Sequence, residues 1–295
     1  MTTDVSAAIP AASAPGRQNL LRRTLASRSG LVGAVLVGIV VVAALAAAAG
    51  ALPHDAVTQA PADRLSGPSG GHWFGTDQFG RDVFARCAEG AANSLLIAVV
   101  AVAIATAAGT AAGVVAGFFG GWTGRSVLGV TNVLFAFPPL LLALALASAF
   151  ERTWLTVAVA IAIVYTPIFV RVARGPVLSL READFVRAAT VLGFSSLRTL
   201  TRHVLPNIAP IVIVQITLSL SWAVLTEASL SFLGLGTPPP APSLGSMVLE
   251  ARVLVNVAWW TMAAPGAVIV ALVVGLNLLG DGLRDALDPK NGDRR

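Results

Sequence analysis

Six stretches of the chain stay apolar at almost every position: 31–52, 94–119, 128–149, 154–174, 208–232 and 258–280. None carries the single apolar stripe of a helix resting on a soluble core. About 20 mostly apolar residues are needed to cross roughly 30 Å of hydrocarbon, so the pattern predicts six transmembrane helices in an all-α membrane protein. The first stretch has arginines upstream, and Ala49-Gly50-Ala51 resembles a signal cleavage site. Its apolar run exceeds the roughly 7–15 residues of a signal core and starts far from the N-terminus, so it is read as a retained span. The remainder divides into a tail (1–30), three long connections (53–93, 175–207 and 233–257) and a second tail (281–295). Residues 1–16, rich in Ala, Ser, Thr and Pro, read as a disordered leader.

Composition agrees with this division. Of 295 residues, 56% are hydrophobic and 12% charged, and the mean hydropathy is +0.79. A soluble domain carries about 25% charged residues, so a soluble globule is excluded, as is disorder over most of the length. Charge then sets an orientation. With the N-terminus cytoplasmic, 15 of the 20 Lys and Arg residues fall inside; only Arg64, Arg81, Arg86, Arg152 and Arg252 fall outside. Cytoplasmic loops carry the excess of Lys and Arg, so both termini are expected in the cytoplasm. The basic balance is accounted for by membrane orientation, and no nucleic-acid partner is expected.

Chemistry-bearing residues are few. The single cysteine, Cys87, cannot form an internal disulfide. His54, His72 and His203 show no metal-ligand spacing, although His54 and His72 fall in one connection, and no metal site is expected. The only lysine, Lys290, is followed by Asn291, so the chain has no phosphate-binding loop of the G-x-x-x-x-G-K-[ST] type. Any ATP must therefore be bound by another chain. No nucleophile or metal cluster points to an enzyme.

Residues 182–192 form a helix-compatible run, Gly193 stands where a left-handed C-terminal cap is expected, and Ser195 or Ser196 can cap a second short helix. Pro206 is expected to end that helix. Adjacent Ala188 and Ala189 would allow close approach of a partner, while Phe185 and Leu192 would share an apolar face. The bland alternative is an amphipathic connector on the membrane surface. Glu227 is the one ionisable residue deep in a span, where a carboxylate must face protein or water. It reads either as part of a translocation path or gate, or as a helix-packing group; Thr226 and Ser229 are the neighbours able to satisfy it. Gly109, Gly113 and Gly117 read as a close helix contact, and Tyr165-Thr166-Pro167 as a kink in the fourth span. Arg81 is expected to pair with Asp77 or Asp82 and tie the first connection together.

Ala188-Ala189, Gly193 and Leu205-Pro206 resemble the E-A-A-x-x-x-G-x9-I-x-L-P loop of ABC importer permeases. Arg187 replaces the usual Glu, and His203 the usual Ile. The resemblance extends to Gly75-Thr76-Asp77-Gln78-Phe79-Gly80-Arg81-Asp82, to 227–236 and to 277–289, in the order found in C-type permeases of the dipeptide, oligopeptide and nickel family. It implies the type I ABC importer permease architecture in a bacterial-type plasma membrane. It also implies a homologous permease subunit as heterodimer partner, two ATPase subunits that bind ATP and Mg, and an extracytoplasmic substrate-binding protein. The residues implied for ATPase coupling are Phe185, Ala188, Ala189, Leu192, Gly193, Leu205 and Pro206, acting by alternating access. Di- or oligopeptides are the expected substrates, with nickel or another small solute as the alternative within the family. A secondary transporter stays open as a different class, although one membrane carboxylate and no evident repeat argue against it.

Overall fold

Residues 20–287 are described in a computed structural model. The leader expected at 1–16 and the end of the C-terminal tail, with Lys290, lie outside the described residues. Eleven α-helices follow one another among the described residues: α1 (Leu20–Ala26), α2 (Arg28–Ala48), α3 (Val83–Phe119), α4 (Gly121–Phe135), α5 (Pro139–Ser148), α6 (Trp154–Arg181), α7 (Asp184–Val191), α8 (Ser196–Thr199), α9 (Leu205–Phe232), α10 (Leu244–Ala251) and α11 (Trp260–Leu287). Helices α2, α3, α6 and α11, together with the run 196–232, are each long and apolar enough to cross a membrane.

The stretch 128–149 is not one straight span. Helices α4 and α5 meet at a 90° bend. Pro138 and Pro139 sit at the break; proline disfavours helical geometry in the residue before it and cannot donate a backbone hydrogen bond. The pair forms either one broken span or a re-entrant turn. By contrast, Pro167 does not interrupt its helix: α6 is continuous through both Pro167 and Pro176. It extends seven residues beyond the expected end of that span, shortening the following connection.

Helix starts follow the side chains available. Ser27, Asp82, Thr153, Ser195 and Ser243 each accept a backbone N–H from the first turn of α2, α3, α6, α8 and α10 respectively, satisfying donors that a helix start leaves free. The most extensive packing lies between α3 and α6. A Cβ on Gly109 would approach Thr166 O to 2.5 Å, and one on Gly113 would approach Val170 O to 2.5 Å. On Gly117 it would lie 2.9 Å from Val177 Cγ1. Small residues at this spacing let two backbones approach, and Ile97, Ala101, Ala105, Ile161, Phe169 and Ala173 fill the buried seam around them.

The connection before α3 is ordered by the Gly-Thr-Asp segment. Trp260 Nε1 donates to Thr76 O at 3.1 Å, bringing α11 onto it. Arg81 Nε donates to Asp77 Oδ2 at 2.6 Å and Arg81 Nη2 to Glu250 Oε2 at 3.1 Å. Buried Arg86 reaches the same Glu250 oxygen at 3.3 Å. Arg81 thus holds its expected partner Asp77 and also joins the first connection to α10. Gly80 has φ of +73°, and a Cβ there would lie 1.8 Å from Ala60 O, so both conformation and space require glycine.

Candidate coupling hairpin and cavity

Between α6 and α9 the chain makes a short helical hairpin. Helix α7 ends in a Schellman cap: Gly193 has φ of +76°, and Phe194 N donates to Ala189 O at 3.0 Å. Ser195 starts α8. Residues Leu200–Val204 then form a π-helical turn running directly into α9. Pro206 therefore does not end the second short helix; it occupies the first turn of α9. Proline clashes with the carbonyl four residues back in ordinary helix. The wide turn relieves that conflict, with Leu205 N bonding to Leu200 O. The segment 196–232 is consequently one continuous helical rod.

The hairpin divides its predicted contact residues. Ala188 is exposed, as are Phe185 at 46% and Leu192 at 73%, with Val191 and Leu197 adding further exposed apolar surface. Ala189 and Val186 are instead buried against the chain itself. Leu205 is exposed at the start of α9. Nothing lies within 4 Å of a Cβ on Gly193, so only backbone conformation restricts that position. His203, in place of an aliphatic residue, packs between the rings of Phe185 and Phe194 at centroid distances of 6.2 and 6.5 Å. Arg187 points outward and donates to Glu182 at 2.6 Å. That bond and the neighbouring Arg181 hold the Glu182 carboxyl below the usual carboxylate range.

Both helices leaving the hairpin line one cavity of about 540 Å³. Val164, Tyr165 and Ile168 come from α6; Gln215, Ser219, Trp222 and Thr226 come from α9. Phe135, Phe137 and Leu140, flanking the α4–α5 bend, complete it. Its wall is mainly apolar. The Tyr165 hydroxyl and Thr226 Oγ1 pair at 3.0 Å, and Gln215 Nε2 donates to Ser219 Oγ at 3.1 Å; Ser229 adds a further polar group to the lining. From Ile168 to the end of α6 is thirteen residues, about 20 Å of helix.

Glu227 does not line this cavity. It is fully buried on the α3 side of α9, where Ser94 Oγ donates to Oε2 at 2.5 Å and Ser231 Oγ to Oε1 at 2.6 Å. The expected partners are otherwise engaged: Thr226 Oγ1 donates to Trp222 O and Ser229 Oγ to Leu225 O. In this conformation Glu227 is a packing group between two spans. Ser231 lies one turn on and was within reach of sequence reasoning; Ser94, 133 positions away, was not.

The two histidines of the first connection meet in space. The fold brings His54 and His72 together at the N-terminus of α3, where both approach Asp82.

Residues 109–292 match the family described as binding-protein-dependent transport system inner membrane component. The dipeptide transport system permease protein of Alkalihalophilus pseudofirmus is 41% identical over 78% of this chain and 76% of its own length. The glutathione transport system permease protein of Shigella flexneri is 45% identical over 81% of this chain and 79% of its own. Its counterpart in Escherichia coli is 42% identical over the same shares.

Proposed function

Since the chain belongs to the family of binding-protein-dependent transport system inner membrane components, a peptide-type ABC importer permease, we propose that it forms half of a translocation path for short peptides and that the hairpin 182–206 couples that path to ATP hydrolysis. The relatives are named for dipeptide and glutathione transport, and both solutes are short peptides. A wide, mainly apolar cavity with a few dispersed polar groups suits cargo that shares a backbone but varies in side chains.

The observation that carries the coupling role is continuity. The exposed apolar face of α7 and α8 sits on a hairpin whose two limbs lead into α6 and α9, and both line the cavity. A homologous permease closes the other half of the path. Two ATPase subunits, binding ATP and Mg, grip the hairpins, and an extracytoplasmic binding protein delivers peptide. Both termini lie in the cytoplasm, in agreement with the Lys and Arg asymmetry. Closure of the ATPases moves the hairpin, α6 and α9 follow, and the cavity changes the side on which it opens. The chain's part is mechanical; the ATPases perform the hydrolysis.

The test compares Ala188→Trp with Arg187→Gln in the assembled transporter. Ala188 is exposed on α7, so the bulky side chain disturbs a docked partner without invading this chain's own core. Expected are loss of ATPase co-purification, or loss of peptide-stimulated hydrolysis, in Ala188→Trp, with both retained in Arg187→Gln. Normal docking, hydrolysis and uptake in Ala188→Trp would refute the coupling surface. Ala189→Trp is a poorer probe, because Ala189 is buried within the chain.

A further inference from the structure

We propose that His54, His72 and Asp82 form a binding site for a divalent transition metal ion of the zinc or nickel type, which clamps the segment following α2 onto the first turn of α3. The three residues come from different parts of one connection, yet one ligand atom from each lies within 4.8 Å of the other two. His72 Nδ1 is 2.9 Å from Asp82 Oδ2, and His54 Nδ1 is 3.8 Å from the same oxygen. Zinc bonds of about 2.0–2.1 Å to nitrogen and oxygen place neighbouring ligands of a tetrahedral site roughly 3.3 Å apart. The two observed separations bracket that value. Small side-chain rotations suffice to seat an ion.

The surroundings fit this use better than a simple helix cap. Asp82 Oδ1 accepts Ala85 N at 2.7 Å, which fixes the carboxylate and leaves Oδ2 facing the imidazoles. A ligating carboxylate oriented in this way has the outer support metal sites require. A cap alone explains the hydrogen bond from His72, but not the presence of His54. The His54 ring lies 4.7 Å from that of His72, tilted by 37°, and too far from Asp82 for a hydrogen bond. The adjacent carboxylate of Asp55 is turned away, accepting Val57 N and Thr58 N. A pocket lined by Pro53, Gly71, Trp73 and Phe84 opens onto His54 and Asp82, giving an ion its entry and room for a water as fourth ligand. Two imidazoles and one carboxylate suit zinc, nickel or copper(II), whereas magnesium and calcium prefer all-oxygen sets.

The test uses the assembled transporter, purified without a polyhistidine tag, stripped with chelator and titrated with Co²⁺ and then Zn²⁺. One Co²⁺ per copy of this chain, with the ligand-field absorption of a low-coordinate ion and displacement by Zn²⁺, is expected above any binding by other subunits. His54→Gln and His72→Gln should each weaken that binding by at least about tenfold, since even outer-shell changes cost 10–100-fold; His203→Gln should leave it unchanged. Zn²⁺ should also slow amide exchange across residues 53–82 in the unmodified chain but not in the two variants. Asp82→Asn is a weaker probe because Asp82 also caps α3. Equal Co²⁺ affinity in the unmodified chain and both histidine variants, or no Zn²⁺ effect on exchange, would overturn the site. Neither readout depends on transport, so failure here leaves the proposed permease role untouched.

Discussion

Replacing Gly113 with alanine should loosen the contact between α3 and α6. The added Cβ would stand 2.5 Å from Val170 O and 3.0 Å from Ala173 Cβ. Non-bonded carbon contacts settle at about 3.5–4.0 Å, so the helices must part by roughly 1 Å. The nearest obstruction is backbone, which cannot rotate away as a side-chain tip does. Overpacking of a fitted contact costs about 1–3 kcal/mol, offset by up to ~1 kcal/mol because alanine favours helix over glycine. Gly38 on α2 is the matched control, with nothing within 4 Å of its Cβ position. Gly38→Ala should therefore be neutral or mildly stabilising. The two variants should differ by about 1–3 kcal/mol, read as a lower denaturation midpoint for Gly113→Ala when the purified complex is heated in detergent and its monodisperse fraction followed. Equal midpoints for the two variants would refute the close-packed seam.

Glu227→Ala removes the acceptor of two buried hydroxyls and should cost about 1–3 kcal/mol or more, lowering the yield of assembled complex, while Glu227→Gln keeps a partner for each serine and should assemble; normal yield and thermal midpoint for Glu227→Ala would end the packing role. At Gly193 the restriction is conformational, so Gly193→Val should cost roughly 1–2 kcal/mol in backbone strain and lower peptide-stimulated hydrolysis. Gly193→Asn, with a residue that tolerates the left-handed region, should fall between; identical hydrolysis in all three chains would show that the cap is dispensable. In a background carrying Cys87→Ala, cysteine at position 70 should react with an impermeant reagent in sealed cells and cysteine at position 190 should not. The reverse pattern would invert the topology.

Long uniform features were legible from sequence. Apolar runs located every long span, because hydrocarbon imposes the same demand on each residue in it. Gly193, a cap at Ser195 or Ser196 and the three glycines of α3 could be assigned because caps and close approaches follow from the chemistry of one or two residues. The failures share a cause. Hydropathy sums side chains and is blind to Pro138-Pro139, which break a stretch of uniform apolarity; the paired prolines were the available signal. Pro206 has the chemistry of a helix stop, but it stands in the first turn of α9, where proline is accepted. Partners distant in sequence escaped altogether: Ser94 for Glu227, Glu250 for Arg81 and Arg86, and the meeting of His54 with His72 over Asp82. No local pattern encodes which spans become neighbours, and each of those contacts depends on that choice.

The hairpin between α6 and α9 behaves as the shared joint of two struts. Helix α6 has 28 residues, about 42 Å of axis, and the rod 196–232 has 37, about 55 Å. Stiff struts meeting at one joint cannot absorb a displacement there; they swing. Moving the joint by 2 Å on a lever of about 20 Å turns a strut by roughly 6°, and the far wall of the cavity moves with it. In the proposed coupling role, a displacement of the hairpin reaches the cavity through α6 and α9 alone. In that role, opening of the cavity would likewise push back on the joint. The permease would thus report its occupancy to the ATPases along the same two rods by which it is driven.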